Sequence, residues 1–277
     1  MARILDTTDA FEAFARRAFL KVPVERERLW GELYESAHPA VFKAFRASHG
    51  GDERPDVAAR ELSRLRQQVR QAAPVMRDSI EGAEPAVRQV LGLAAEPAPM
   101  HVLMVDGFAT SAVVGRLDGD VALFHCLEWF PSAEGARVLV AHESAHAWHE
   151  IALREAPPAE DLAWTAFSEG LAIRTSRAVV PDRPEQDYFW YGHPGFDDWL
   201  AWCRARRESL LERFRDALQE PDATEAFFGA GRIEDRLRVG FFLADDLVAR
   251  LGRPLSELVQ LTAADAQTAI RRALDDG

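Results

Sequence analysis

A chain of 277 residues with 48% hydrophobic and 28% charged side chains has the balance of a globular protein able to bury a large core. A net charge of -12 argues against the basic surface that nucleic acid requires and against an anionic membrane as partner, leaving room only for local basic patches. The N-terminus lacks the apolar stretch of a secretory signal and no later run of about 18 apolar residues could span a bilayer, so a cytoplasmic location is expected.

The first hundred residues read as helices with short breaks. Asp9 is placed to cap a helix carrying Phe11, Phe14, Ala15, Ala18 and Phe19 on one face, ended by Pro23. Glu25 to Glu35 brings Leu29, Trp30, Leu33 and Tyr34 together, and Pro39 suits the first turn of the next helix. The loop from Gly50 to Pro55 precedes a charged helix with Ala58, Leu62, Leu65 and Val69 at helical spacing, followed by a separate one through Val87, Val90 and Leu91. The stretch Glu96-Pro97-Ala98-Pro99 marks a change of period. His101 to Val105, Ala109 to Gly115 and Val121 to Trp129 are rich in Val, Leu and Phe, with Asp118-Gly119-Asp120 as a hairpin turn, and predict a small antiparallel sheet. A helix from about Ala133 to Leu153, a break at Ala156-Pro157-Pro158 and a helix from about Glu160 to Arg177 follow. An aromatic connection from Tyr188 to Gly195 leads into further helices. Cys126 and Cys203 form no CxxC spacing and no disulfide framework; they read as small buried hydrophobes.

The chemistry is concentrated in one place. His142, Glu143, Ser144, Ala145 and His146 spell HExxH inside the predicted helix, a pattern expected by accident about 0.02 times in a chain of this composition. Residues i and i+4 of a helix lie one above the other, so His142 and His146 can grip one metal ion with Glu143 beside its water. Catalytic zinc takes three protein ligands and keeps a fourth position open. If the two helices turn near Ala156-Pro157, Glu169 comes level with the histidines, which makes it the third ligand, and Gly170 after it lets the two backbones approach. His149 lies about 10 Å along the axis from His142, too far to share one ion, and reads as a packing or supporting residue. Glu150, Glu155 and Glu160 lie too near the turn. The HExxHxxGxxH pattern is absent.

Two further features bear on substrate. If the strand from Val121 to Leu127 forms the sheet edge, its free backbone groups could pair with an extended peptide, an ordinary buried strand being the other reading; His125 in it reads as a satisfied core histidine. Tyr188, Tyr191, His193 and Arg238 are oxyanion donors by residue type only, without support from spacing.

With these residues in hand, the chain resembles the gluzincin metallopeptidases, whose HExxH is completed by a glutamate on the following helix. More closely it resembles a bacterial family of predicted Zn-dependent proteases of unknown function, which carries HExxH, then EGLA, then Phe-Gly and Gly-Tyr near the C-terminus. The matching residues are His142 to His146, Glu169 to Ala172, Phe228-Gly229 and Gly240 to Leu243, over a region from roughly Val102 to the C-terminus. The resemblance implies zinc held by His142, His146 and Glu169, with Glu143 as catalytic base. Two positions depart from the pattern. Ile173 stands where an acidic residue is common, which removes a support for a ligand histidine, and Phe241 stands where a tyrosine is expected.

The expectation is therefore an α+β, mainly helical protein: a helical portion over 1–99 and a zincin-like catalytic domain over 100–277, packed as one unit. Its expected activity is hydrolysis of peptide bonds in a peptide or protein substrate, with one Zn2+ per chain. The alternatives are a zinc-binding regulatory or binding protein with little hydrolytic activity, and a zinc hydrolase acting on a non-peptide bond.

Overall fold

Val121 to Cys126 are six consecutive buried residues, mostly apolar, which suits a strand covered on both faces rather than an edge. The computed structural model describes residues 2–50, 61–94, 97–106, 108, 110–129, 132–153, 158 and 161–275. Gly51 to Pro55, Ala58, Glu96, Ala109, Glu155, Ala156, Pro157 and Glu160, named above, lie outside the described residues. The chain forms two units, one of Met1–Pro85 with Ala95–Glu143, the other of Ala86–Ala94 with Ser144–Gly277. The protein is mainly helical with a small sheet, an α+β fold.

In the first unit, β1 (Arg3–Asp6) is followed by α1 (Thr8–Ala18), α2 (Pro23–Leu33), α3 (Pro39–His49) and α4 (Leu62–Val90), then β2 (Met100–Met104), β3 (Ala112–Leu117), β4 (Asp120–Cys126) and the start of α5 (Ala133–Leu153). The sheet order is β1-β2-β4-β3. β1 lies parallel to β2, β2 parallel to β4, and only β3 and β4 run antiparallel. The expected all-antiparallel sheet is thus corrected to a mixed one, and the N-terminal portion is not purely helical. β1 escaped the sequence reading because four residues, none fully buried, carry no period. The strand from Val121 is central, not an edge, so the backbone groups that would have paired with a peptide are already paired with β2 and β3. The hairpin turn falls where expected: Asp118 and Gly119 both take positive φ, 53° and 92°, as a two-residue primed turn demands.

A chain of hydroxyls ties β2 to α1 and α2. Thr7 donates to Leu103 O (2.9 Å), so it accepts from Tyr34 Oη (2.8 Å), which in turn accepts from Val105 N–H (2.8 Å). Thr7, not Asp9, is the residue that precedes α1, and Asp6 Oδ1 accepts from Thr8 N–H at 2.8 Å. Phe14 and Trp30 meet edge to face at 5.1 Å, Tyr34 and Phe42 at 4.8 Å, and Phe45 reaches Phe124 of the sheet at 5.9 Å. α4 is one helix where two were expected, in spite of Pro74 and Pro85 inside it. Each proline removes a hydrogen bond, but Leu62, Leu65, Val69, Ala72, Met76, Ile80, Ala83 and Val87 form an unbroken buried stripe that outweighs the breaks.

The second unit contains the rest of α5, then α6 (Leu162–Val179), α7 (Asp187–Trp190), α8 (Trp199–Ala205), α9 (Arg207–Asp216), α10 (Ala223–Phe228), the two-residue strands β5 (Arg232–Ile233) and β6 (Arg236–Leu237), α11 (Val239–Arg250), α12 (Leu255–Leu258) and α13 (Ala263–Asp275). α6 is its axis, with α11 and α13 laid against it. Asp161 caps α6 by accepting from Trp164 N–H at 2.7 Å. Among the described residues no helix is long and apolar enough to cross a membrane.

Candidate metal centre

α5 is buried almost all round over Ala136, Val138 to Ala141, Ala145, Ala147 and Trp148, as a helix with apolar residues on every face must be. His142 and Ser144 are buried within it, whereas Glu143 and His146 are half-buried. The two histidines stand on one continuous helix, so the i, i+4 relation alone sets their spacing. Glu169, on α6, completes the group: one ligand atom from each of His142, His146 and Glu169 lies within 4.8 Å of the others. Among the described residues no other set of three His, Cys, Asp or Glu side chains converges in this way.

The donor set fits zinc. Two imidazoles and one carboxylate are a known catalytic combination, and two ligands at usual bond lengths on a tetrahedral ion stand about 3.4 Å apart. His146 Nε2 and Glu169 Oε2 are 3.5 Å apart. The other ring nitrogen of His146, Nδ1, is 3.1 Å from Ser168 Oγ. With Nδ1 protonated the ring donates to that hydroxyl and turns the lone pair of Nε2 toward Glu169, which is the tautomer a metal needs. The sequence reading missed Ser168. Its only signal was a hydroxyl residue directly before the ligand glutamate.

The remaining residues separate clearly. His149 lies between Trp164 (5.2 Å) and Phe167 (5.7 Å), and burial pushes its imidazole down to about 4; it is a packing residue. Ile173 is fully buried, so its position belongs to the core of the second unit. Gly170 does permit a close approach, but to α11: an added Cβ would stand 2.3 Å from Ala244 O and 2.5 Å from Val248 Cγ2. That corrects the expectation that it accommodates the preceding helix. Gly240 is cradled likewise, its added Cβ 2.7 Å from the Phe228 ring and 2.8 Å from Phe227 O, so the Phe-Gly and Gly-Phe segments lie against each other.

Of the four oxyanion candidates, Tyr188 is engaged elsewhere, donating to Val180 O at 2.7 Å and accepting from Arg183 N–H at 3.3 Å. Tyr191 is buried, and its backbone takes a left-handed φ of 52°. Arg238 sits over the rings of Phe241 (4.1 Å) and Trp190 (5.3 Å), and His193 is lowered by burial and by that guanidinium. His125 is buried on the sheet, its Nε2 3.0 Å from His101 Nδ1, so it is a core histidine bonded to another. Cys126 and Cys203 are buried thiols in no disulfide, as expected. Compared with known protein families, curated proteins and solved structures, the chain matches none.

Proposed function

We propose that the protein is a zinc-dependent hydrolase with a zincin-like arrangement, cleaving peptide bonds, with His142, His146 and Glu169 holding the ion and Glu143 as general base. The observation that carries this is the convergence of two imidazoles and one carboxylate within 4.8 Å, with a second glutamate adjoining His142 on the same helix. When bound, zinc supplies Lewis acidity and lowers the pKa of a water in its open position. Glu143 takes a proton from the attacking water and returns it to the leaving amine nitrogen. Ser168 holds the His146 ring in one tautomer, and the Glu169 carboxylate offsets part of the ion's charge.

Glu143→Gln removes the base while keeping the shape. Peptide cleavage is expected to fall by at least about a hundredfold with zinc content unchanged. His142→Ala and Glu169→Ala are expected to lose the zinc itself, read by metal analysis of the purified chain. A second reading, a zinc-binding protein without hydrolytic activity, draws on Phe241, which has no hydroxyl to donate and packs against Phe228 at 5.4 Å. Zinc-loaded wild type that cleaves nothing in a broad peptide library would favour it.

A further inference from the structure

Six consecutive residues from the end of α1 into the first turn of α2, Phe19 to Val24, are exposed. Phe19, Leu20, Val22 and Val24 stand 49%, 88%, 56% and 70% open to solvent, an apolar cluster that folding does not use. The backbone beneath them is tied inward. Lys21 N–H donates to Ala18 O (3.1 Å), and Glu25 and Arg26 N–H donate to Val22 O (3.0 and 3.1 Å). The Arg26 guanidinium donates to Lys21 O (3.0 Å) and Phe19 O (3.5 Å), and Pro23 has no N–H. The Val22 carbonyl opens α2 as in any helix; what is particular to this tip is the Arg26 guanidinium, which satisfies two carbonyls, Lys21 O and Phe19 O, in place of water.

The charges around the tip point the same way. From Arg16 to Val24 there are three cations, Arg16, Arg17 and Lys21, and no acid. Lys21 lies 3.8 Å from Glu25 just beyond. About 10 Å back along α1, a single carboxylate, Glu12, is shared by Arg16 (2.7 Å), Arg66 (2.7 Å) and Arg70 (2.6 Å). The chain carries -12 overall, but a headgroup field decays within about 8–10 Å, so the charges near the tip decide, and there Arg16, Arg17, Lys21, Arg26 and Arg28 outnumber Glu25 and Glu27.

We infer that the tip between α1 and α2 docks on bilayers containing anionic lipid, seating Phe19, Leu20, Val22 and Val24 at the interface with Arg16, Arg17 and Lys21 among the headgroups. This is independent of the metal centre. The test floats the full chain with phosphatidylcholine vesicles, with and without phosphatidylglycerol, for wild type, Leu20→Ser/Val24→Ser and Arg17→Glu/Lys21→Glu. Wild type is expected to float with the anionic vesicles and less so at high salt. Each double variant is expected to lose at least about tenfold in partitioning, with thermal unfolding unchanged because the altered side chains are exposed. Wild type that stays unbound, or a Leu20→Ser/Val24→Ser chain that floats as well as wild type, overturns the inference. So does a concentration-dependent dimer that this variant abolishes, which would make a second copy of the chain the occupant.

Discussion

Ser168 shows how one hydroxyl changes the account of a site. The buried Ile173 supplies no carboxylate to brace a ligand histidine, yet His146 is braced through Nδ1 by the residue immediately before Glu169. Partners of this kind are worth roughly 10- to 100-fold in metal affinity. Ser168→Ala is therefore expected to weaken zinc binding by about tenfold in a chelator competition, and Ser168→Thr, which keeps the hydroxyl, to restore it. Equal affinity in Ser168→Ala and wild type would remove Ser168 from the site. The group of His142, His146 and Glu169 was readable because its residue types and the i, i+4 spacing are local properties. Ser168 was not, because serine serves caps, turns and cores equally well, and only its distance to an imidazole on another helix distinguishes these roles.

At the scale of elements, the position of Glu169 depends on how α6 is held from its other side. Gly170 lets the backbone of α11 come within contact of α6 one residue from Glu169, and the atom met first is a main-chain oxygen, Ala244 O. Gly170→Ala is expected to destabilise the fold by about 3 kcal/mol, measured by urea unfolding. Trimming the neighbour with Val248→Ala should not recover it, since the carbonyl remains; full recovery would mean that the side chain, not the backbone, sets the limit. The position of Gly170 beside the ligand was evident in the sequence, but not the helix it accommodates, because the apolar pattern of α11 matches several possible partners. α4 makes the converse point. Two prolines read as breaks locally, but a stripe of apolar residues from Leu62 to Val87 buries enough surface to keep the helix whole.

Across the whole molecule, buried titratable groups set opposing pH dependences. Burial pushes His125 down from 6.5 to about 4 and His101 well below its usual value, their rings parallel at 5.3 Å. Between pH 6.5 and 4 the unfolded chain binds protons that the folded one refuses, so stability falls as pH drops through that window, by up to about 3 kcal/mol for His125. Glu128 acts in the other direction. Burial raises its carboxyl from 4.5 to about 7, so stability falls as pH rises between those values. With both histidines gone Glu128 acts unopposed, so in His101→Leu/His125→Leu the urea midpoint at pH 5 is expected to rise relative to that at pH 7, compared with wild type; an unchanged difference between the two midpoints would place the acid sensitivity elsewhere. These histidines share a face because His101 pairs with Leu123 and His125 with Leu103 across parallel strands.

The sequence by itself determined the α+β class, the helix bearing His142 and His146, and Glu169 as the residue to complete their group, because helical period and ligand chemistry are written within short segments. Tertiary structure alone decided that β1 joins β2 in parallel, that the strand from Val121 lies at the centre of the sheet, that α4 continues through its prolines, and that Ser168 meets His146. Each of these joins residues from separate segments. Which pairing wins is settled by competition for burial and for hydrogen-bond partners across the folded chain, a quantity that no one segment carries.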